Sequence, residues 1–155
     1  MSEDELFAVA SGGIVVGMDD SRSARAALAY ALEEGARRDL SVLALTVHRS
    51  PSAWAPAVAK VLDEDRLVGE VQKAAQAVVD EVVAEQRQRG VVAPQVRVGL
   101  RTGIPDEVLC RVSQESKLLV IGDRGRGELA SRLIGSVVLG AVTHAECPVL
   151  VVKPS

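Results

Sequence analysis

The segment from Val120 to Gly140, VIGDRGRGELASRLIGSVVLG, carries the residues whose types and spacing could do chemistry. It holds five glycines with arginines between them, and an apolar run follows. Glycine loses more backbone entropy on folding than any other residue, so this composition is costly unless something approaches the backbone closely or the chain turns sharply. Where such a loop leaves a strand and enters a helix, unpaired N–H groups and the positive end of the helix dipole favour phosphate. We therefore interpret the segment as a phosphate-binding loop.

Two widespread phosphate motifs do not fit this segment. Gly122 and Gly127 have the glycine spacing of a P-loop, but Glu128 and Leu129 stand where that motif needs Lys and Ser or Thr. The dinucleotide fingerprint G-x-G-x-x-G should follow the first strand, where this chain has only GMDDS. Both of these kinds of phosphate site are therefore excluded.

The elements that must position the loop alternate along the chain. Short apolar runs predict strands, and apolar residues three and four apart predict helices. The predicted strands cover 12–19, 41–48, 94–103, 117–122 and 147–153. The predicted helices cover 21–38, about 67–90, 104–116 and 135–146, and the proline-containing segment 49–57 is predicted as a loop. Ser21 is the expected N-cap of the first helix, and Ile134, Val138, Ala141 and Ala145 are expected to face inward from the last one.

This order of elements predicts the α/β fold class. Strands that are apolar throughout, rather than alternating, are typical of a parallel sheet covered on both faces. Right-handed crossovers then favour a single doubly wound open sheet of five mainly parallel strands with helices on both faces, a Rossmann-like arrangement. No repeat or linker interrupts the 155 residues, which we interpret as one domain with its core at about 13–153. In such a fold, ligands bind beyond the carboxyl ends of the strands, where the strand order reverses.

The composition excludes several classes of function. A formal charge of −3 and an aromatic fraction of 2% leave neither a basic footprint nor a stacking platform for nucleic acid. The acidic N-terminus is unlike a signal peptide, and the apolar stretch 133–152 is interrupted by His144, Glu146 and Pro148, so no membrane association is expected. Cys110 and Cys147 lack CxxC spacing and are interpreted as reduced thiols. We therefore expect a cytoplasmic protein.

One glycine spacing survives these tests. Gly122 and Gly125 are followed, after nine residues, by Gly135-Ser136, and HAECPVLVV comes behind them. This pattern resembles the nucleotide-binding branch of the universal stress protein family, whose signature is Gly-x2-Gly-x9-Gly-Ser/Thr. The segments VVGMDDSRSARAALAYA and TGIPDEVL are similar to that family as well, so the resemblance covers about 14–153. It implies an adenine nucleotide alpha hydrolase-like fold.

The resemblance also implies ATP, or another adenine nucleotide, as the ligand, and Mg²⁺ could accompany it. In family members that bind ATP, the adenine lies between the ends of the first two strands. That place matches Asp19 as the polar contact, Val47 as the apolar wall and the backbone near Gly17. The ribose and phosphates lie along the glycine loop, which corresponds here to Gly122, Gly125, Gly135, Ser136 and the N–H of Val137. The hydroxyl of Ser136 would add a donor where N–H groups already converge.

Each of these residues also has a simpler interpretation. Asp19 could be a turn or capping residue, and Val47 would pack in any version of this fold. Ser136 could be a plain N-cap. Arg124 and Arg126 are either solvated loop charges or contacts to a phosphate.

Three residues depart from the family pattern. Asp123 stands where small neutral or hydroxyl residues are common, and Glu128 adds a second carboxylate to the loop. Two acids near a triphosphate would weaken its binding, unless arginines or a divalent cation compensate. Val138 stands where many relatives carry another hydroxyl. AMP, or another nucleotide with fewer phosphates, therefore stays open.

No catalytic residue is assigned from the sequence. Asp19, Asp123 and Glu128 could act as bases in ATP hydrolysis, with nothing to choose between them, and His144 is expected to pack or to interact with its helix end. We predict an adenine-nucleotide-binding protein with a regulatory or signalling role in the stress response and slow or no hydrolysis. The stress role is implied by the resemblance alone. The alternatives are a nucleotide-independent dimeric interaction module and a weak ATPase.

A homodimer is also implied by the resemblance. The last strand would be an apolar edge strand, and exposed edges of that kind pair with another chain. We expect pairing through Val149–Val152 across a two-fold axis, with an unidentified regulatory protein as a further partner.

Overall fold

Five parallel strands form the sheet of the computed structural model, which describes residues 1–50, 55–59, 63–125 and 134–155. The strands are β1 (Ile14–Met18), β2 (Val42–His48), β3 (Val96–Thr102), β4 (Leu118–Gly122) and β5 (Val149–Val152). Their order across the sheet is β3-β2-β1-β4-β5, and every neighbouring pair is parallel. The predicted α/β class, with its doubly wound five-stranded sheet, is confirmed.

Helices cover both faces of this sheet. Within the described ranges they are α1 (Glu3–Ala10), α2 (Arg22–Arg38), α3 (Pro56–Ala59), α4 (Glu64–Gln88), α5 (Pro105–Val112) and α6 (Ser136–His144). On one face, α1, α5 and α6 bury Leu6, Leu109 and Val138 against the sheet. On the other face, α2 and α4 bury Leu28 and Val82. The core is therefore two apolar layers that sandwich the strands, as the continuously apolar strand sequences require.

The N-terminal helix α1 was not among the predicted elements. Ser2 caps it by accepting a hydrogen bond from the backbone N–H of Glu5, and the Glu5 side chain accepts one in return from the Ser2 N–H. This reciprocal pair is a capping box, and its Ser-x-x-Glu spacing just before an apolar run was a readable signal. The helix buries Leu6 and Ala10, so the folded unit begins ahead of the expected core at about residue 13.

The predicted boundaries of the other elements need small corrections. Helix α4 begins at Glu64, three residues before the first residue of the predicted pattern, because Asp63 caps it through the Arg66 N–H. Residues 51–54 of the predicted loop 49–57 lie outside the described residues, and its last two residues belong to the short helix α3, which begins at Pro56. The expectation that Ile134 faces inward is wrong. It precedes the first turn of α6 and is 69% exposed, whereas Val138 and Ala141 are buried as expected.

The strand order creates a switch point between β1 and β4. From β1 the chain moves through β2 to β3 at one edge of the sheet, and then crosses over to β4 and β5 at the other edge. Ile14 pairs with Leu118 and Val16 with Val120, so the carboxyl ends of β1 and β4 lie side by side. The connections that leave these two ends run to opposite faces, which opens a crevice between them.

Candidate functional site at the switch point

A cavity of about 110 Å³ lies at the carboxyl ends of β1, β2 and β4. Its floor is apolar and comes from both the strands and the helix α5, with Leu45, Leu109 and Ile121 contributing side chains. Charged groups line its mouth, where Asp19 follows β1 and Arg124 follows β4. An apolar floor with a few polar groups at the rim is typical of a small-molecule site.

Seven of the eight residues that the sequence nominated line this one cavity. They are Gly17, Asp19, Val47, Gly122, Gly125, Gly135 and Val137. The eighth, Ser136, is not among the described lining residues, and its side chain is exposed at the start of α6. The tertiary structure thus brings together residues from four separate parts of the chain.

Asp19 both shapes a turn and contributes to the mouth of the cavity. Its Oδ1 accepts a hydrogen bond of 3.0 Å from the backbone N–H of Ser21, which makes an Asx-turn at the end of β1. Asp20 between them adopts a φ of 64°, a left-handed conformation that Asp tolerates better than most residues. The other oxygen of Asp19, Oδ2, lies 3.2 Å from the place where a side chain on Gly125 would begin. The turn interpretation and the ligand-contact interpretation are therefore compatible with each other.

Gly122 is required by packing. A Cβ at this position would lie 2.5 Å from Cβ of Ser23 and 2.6 Å from its carbonyl carbon, which is closer than carbon atoms can approach. The missing side chain lets the first turn of α2 sit directly against the end of β4. Gly140 has a similar packing role inside α6, since a Cβ there would collide with the Asp106 side chain of α5. Close packing against other parts of the protein therefore explains part of the glycine content.

Asp123 is not among the described residues that line the cavity. The hydroxyl of Ser23 donates a hydrogen bond of 2.6 Å to its Oδ1, and the side chain is only 18% exposed. Its neighbour Arg124 lines the cavity, while the carbonyl of Arg124 accepts a longer hydrogen bond of 3.5 Å from the Ser21 hydroxyl. Glu128, the second acid of the loop, lies outside the described residues, as do Arg126 and Arg132.

The N-terminus of α6 faces the same cavity. Gly135 is its N-cap and Ser136 its first helical residue, so the interpretation of Ser136 as a plain N-cap is wrong. Within the part of the chain that the structure describes, no side chain caps this end. The first N–H groups of any helix lack partners within the helix, and they carry the positive end of its dipole. Because Gly135 and Val137 line the cavity, these groups can meet an anion there.

The sequence did not identify the floor of the cavity. Leu45, Leu109 and Ile121 read as ordinary core residues, and only the packing of α5 across the strand ends turns them toward a ligand space. A second cavity of about 300 Å³ lies beside the first, between the ends of β1 and β2 and the helix α4. Asp19 and Val47 line both cavities, and therefore separate them.

The two histidines have structural partners. The Nδ1 of His48 donates to the carbonyl of Arg101 at 3.2 Å, and its Nε2 lies 3.3 Å from the Thr102 hydroxyl, which ties the end of β2 to β3. His144 lies in the last turn of α6, where Nδ1 is 3.0 Å from the Gly140 carbonyl, as expected for a residue that interacts with its helix end. Neither ring lines the cavity at the switch point among the described residues.

Two further properties of the described residues bear on chemistry. They contain no cluster of three or more His, Cys, Asp or Glu side chains placed to hold a metal ion. In the same part of the chain, no helix combines the length and the apolar character needed to cross a bilayer.

Comparison with known proteins finds a family whose sequences match this chain. The sequence model of the universal stress protein family matches residues 12–153. A universal stress protein of Mycobacterium tuberculosis is 32% identical over 146 residues, which cover 92% of this chain and 45% of that protein. The chain thus spans about half the length of the curated relatives it matches.

Solved structures share the fold over nearly the whole chain. The universal stress protein UspA of Lactobacillus plantarum superposes with a TM-score of 0.68 at 26% identity, covering 91% of this chain and 97% of that one. A universal stress protein in complex with cAMP gives a TM-score of 0.63 at 22% identity, covering 94% and 98%. One from Archaeoglobus fulgidus in complex with dAMP gives 0.60 at 22%, covering 92% and 98%. At these last identities the likeness establishes the fold alone.

Proposed function

The chain belongs to the universal stress protein family, and from that premise we propose that it binds an adenine nucleotide, ATP in the first instance, in the cavity at the switch point. The observation that carries the proposal is the convergence of seven nominated residues on one cavity. The adenine nucleotides cAMP and dAMP in two structural neighbours support the class of ligand.

The cavity offers complementary surroundings for each part of such a ligand. The apolar floor and Val47 would cover the faces of the purine, and burying that surface would supply most of the binding free energy. A carboxylate oxygen of Asp19 would accept a hydrogen bond from the amino group of the base or a ribose hydroxyl. The phosphates would extend over Gly125 toward the N-terminus of α6, with Ser136 at the outer end of that path.

The role that fits this site is binding with slow or no hydrolysis. Rapid hydrolysis needs a positioned water, a base and neutralisation of charge on the transferred phosphoryl group. Of the three carboxylates considered as bases, Asp19 lines the cavity, Asp123 is hydrogen-bonded to Ser23 and is not among the described lining residues, and Glu128 falls in the undescribed segment. We propose a regulatory or signalling protein of the stress response, acting in the cytoplasm, in which the bound nucleotide sets the state that a partner recognises.

A homodimer through β5 is part of this proposal. Strand β5 is an edge of the sheet, and α6 beside it exposes Leu139 and Val142. Leu119 N–H donates to Pro148 O and Asp123 N–H to Val152 O, so alternate residues of β5 face β4. The N–H and C=O groups of Val149 and Val151 must then point to the open edge, where a second copy could pair with them.

The decisive experiment identifies the ligand directly. Freshly purified protein is denatured and any released nucleotide is identified by mass spectrometry, and the emptied protein is then titrated calorimetrically with adenosine, AMP, ADP and ATP. Bound or rebinding adenine nucleotide supports the proposal, and ATP turnover above that of heat-inactivated protein would revise it toward a weak ATPase. An empty protein that binds none of the four would overturn it in favour of the nucleotide-independent interaction module.

A further inference from the structure

We propose that Arg124 binds a phosphate group of the nucleotide and that Asp123 is the residue that positions it. This inference rests on the proposed function. The charge of Asp123 alone suggests that it repels phosphate, whereas here it would promote phosphate binding through Arg124. The argument depends on where the two side chains of this Asp-Arg pair are anchored.

Asp123 is held on three sides. Its side chain accepts the 2.6 Å hydrogen bond from Ser23, which is itself buried in the first turn of α2. Its backbone N–H donates to the carbonyl of Val152 in β5, and its carbonyl accepts from the N–H of Gly135 at 3.4 Å. The carboxylate also lies at the N-terminal end of α2, where the helix dipole favours a negative charge. These hydrogen bonds fix the position of Asp123, which can therefore restrict the position of its neighbour Arg124.

Arg124 contacts Asp123 and is also one of the residues that line the cavity. Its Nε is 4.0 Å from Oδ2 of Asp123, and its side chain is 41% exposed. An exposed ion pair contributes little to stability, because solvent screens it and the long side chain loses entropy. Its effect is on position, since the pairing favours conformers in which the guanidinium stays beside the loop. An arginine held in this way keeps planar N–H donors that match a phosphate.

The balance of charge at the mouth follows from this arrangement. Among the described residues that line the cavity, the charged ones are Asp19 on the base side and Arg124 on the loop side. A phosphate over Gly125 would meet the guanidinium and the N-terminus of α6, and it would also approach Oδ2 of Asp19, whose repulsion the guanidinium would offset. One oxygen of Asp123 is meanwhile hydrogen-bonded to Ser23. The pair would thus favour phosphorylated nucleotides over adenosine.

The test compares adenosine with AMP and ATP in calorimetric titrations at physiological ionic strength. We expect Arg124→Ala to lose about tenfold in affinity for AMP and ATP, the size of one charge-assisted contact at a partly exposed site, and to leave adenosine unchanged. Arg124→Lys should recover part of the loss. Arg111→Ala is the matched control, since it removes the same charge from an exposed arginine at the far end of α5.

Asp123→Asn distinguishes positioning from repulsion by the sign of its effect. The amide keeps an oxygen that can accept from Ser23 but loses the charge that holds Arg124. If Asp123 positions Arg124, the affinity for AMP and ATP falls. In the Arg124→Ala background the same change should cause no fall. A rise in affinity in the wild-type background would mean that Asp123 repels phosphate, and would overturn the inference.

The same titrations keep this inference separate from the proposed function. If the wild-type protein binds no adenine compound, the proposed function itself fails. If adenosine and its nucleotides bind equally well, or if Arg124→Ala weakens adenosine as much as ATP, then only the assignment of Arg124 fails. Thermal denaturation of each variant verifies that a lost affinity does not reflect lost folding.

Discussion

The hydroxyl of Ser23 lies 2.6 Å from Oδ1 of Asp123 and joins the first turn of α2 to the loop that leaves β4. The two residues are 100 positions apart in sequence. Because Gly122 also packs directly on Ser23, the first residues of the loop are fixed by the core of the fold. The start of the site is therefore preorganised before any ligand arrives.

Removing the Ser23 hydroxyl should destabilise the protein. Ser23→Ala leaves the carboxylate of Asp123 without its donor at a site with little solvent access, and we expect a loss of about 1–2 kcal/mol. Urea unfolding followed by circular dichroism measures this loss. Ser136→Ala removes an exposed hydroxyl that caps no helix and should leave the stability unchanged. Equal stability of the two variants would mean that the Ser23–Asp123 hydrogen bond contributes nothing.

Two glycines of the loop should respond differently to the same change. Gly122→Ala places a methyl group against the backbone of α2, and moving that helix would disrupt the core. We expect the free energy of unfolding to fall by about 3 kcal/mol, or the protein not to fold. Among the described residues, Gly125→Ala meets only Oδ2 of Asp19, at 3.2 Å, so the fold should survive while nucleotide affinity falls. Urea unfolding and ligand titration of both variants test the contrast. Equal destabilisation by both changes would contradict it.

Replacing a third glycine, Gly69, should make the protein more stable. Gly69 lies inside α4, and apart from the backbone of its own helix a Cβ there would have no atom of the described residues within 4 Å. Gly69→Ala should add about 0.5–1 kcal/mol, because alanine loses less backbone entropy in a helix. The gain is measured by the same urea titration. A loss of stability would show that α4 packs more tightly at this point than the structure indicates.

The open edge of β5 can be blocked without disturbing its pairing with β4. Val151→Pro removes an N–H that points away from β4, and proline is accepted on an edge strand in that orientation. Val151→Ala shortens the same half-buried side chain but keeps the N–H. Light scattering at micromolar concentrations should give a dimer for the wild type and for alanine and a monomer for proline. A monomeric wild-type protein would overturn the proposed dimer.

Alkaline conditions should destabilise the protein through Cys110. Burial raises the pKa of its thiol, and the nearby Asp106 and Cys147 raise it further. The folded state therefore prefers the protonated thiol. This contribution is complete below the ordinary thiol pKa and is lost as the pH rises through the raised value.

The free energy of unfolding of reduced protein, measured from neutral pH to about pH 10, reports this loss. The decline should be steeper for the wild type than for Cys110→Ala, and Cys147→Ala should lie between them because it removes only the weakest of the three causes. Parallel declines for the wild type and Cys110→Ala would show that the thiol does not titrate differently in the folded state.

The elements could be predicted from local sequence because each is specified by its own residues. Apolar runs predicted four of the strands and the alternating segment 94–103 predicted β3, while Ser21 was correctly expected to cap α2, where its hydroxyl accepts from the N–H of Ala24. The missed helix α1 also had a local signal, the Ser2–Glu5 capping box. Ile134 was misplaced because helical periodicity was extended to a residue that precedes both the N-cap, Gly135, and the first helical residue, Ser136.

The sequence by itself determined the α/β class and the glycine spacing, and its family resemblance named seven residues that share one cavity in the structure. Parallel strands place their carboxyl ends, and the residues that follow them, at one edge of the sheet. Only the tertiary structure decided what each residue faces. Asp123 and Arg124 are adjacent in the chain, yet one is hydrogen-bonded to Ser23 and the other lines the cavity. Side-chain direction in a loop depends on contacts with α2 that lie 100 residues away, and no local pattern encodes such contacts.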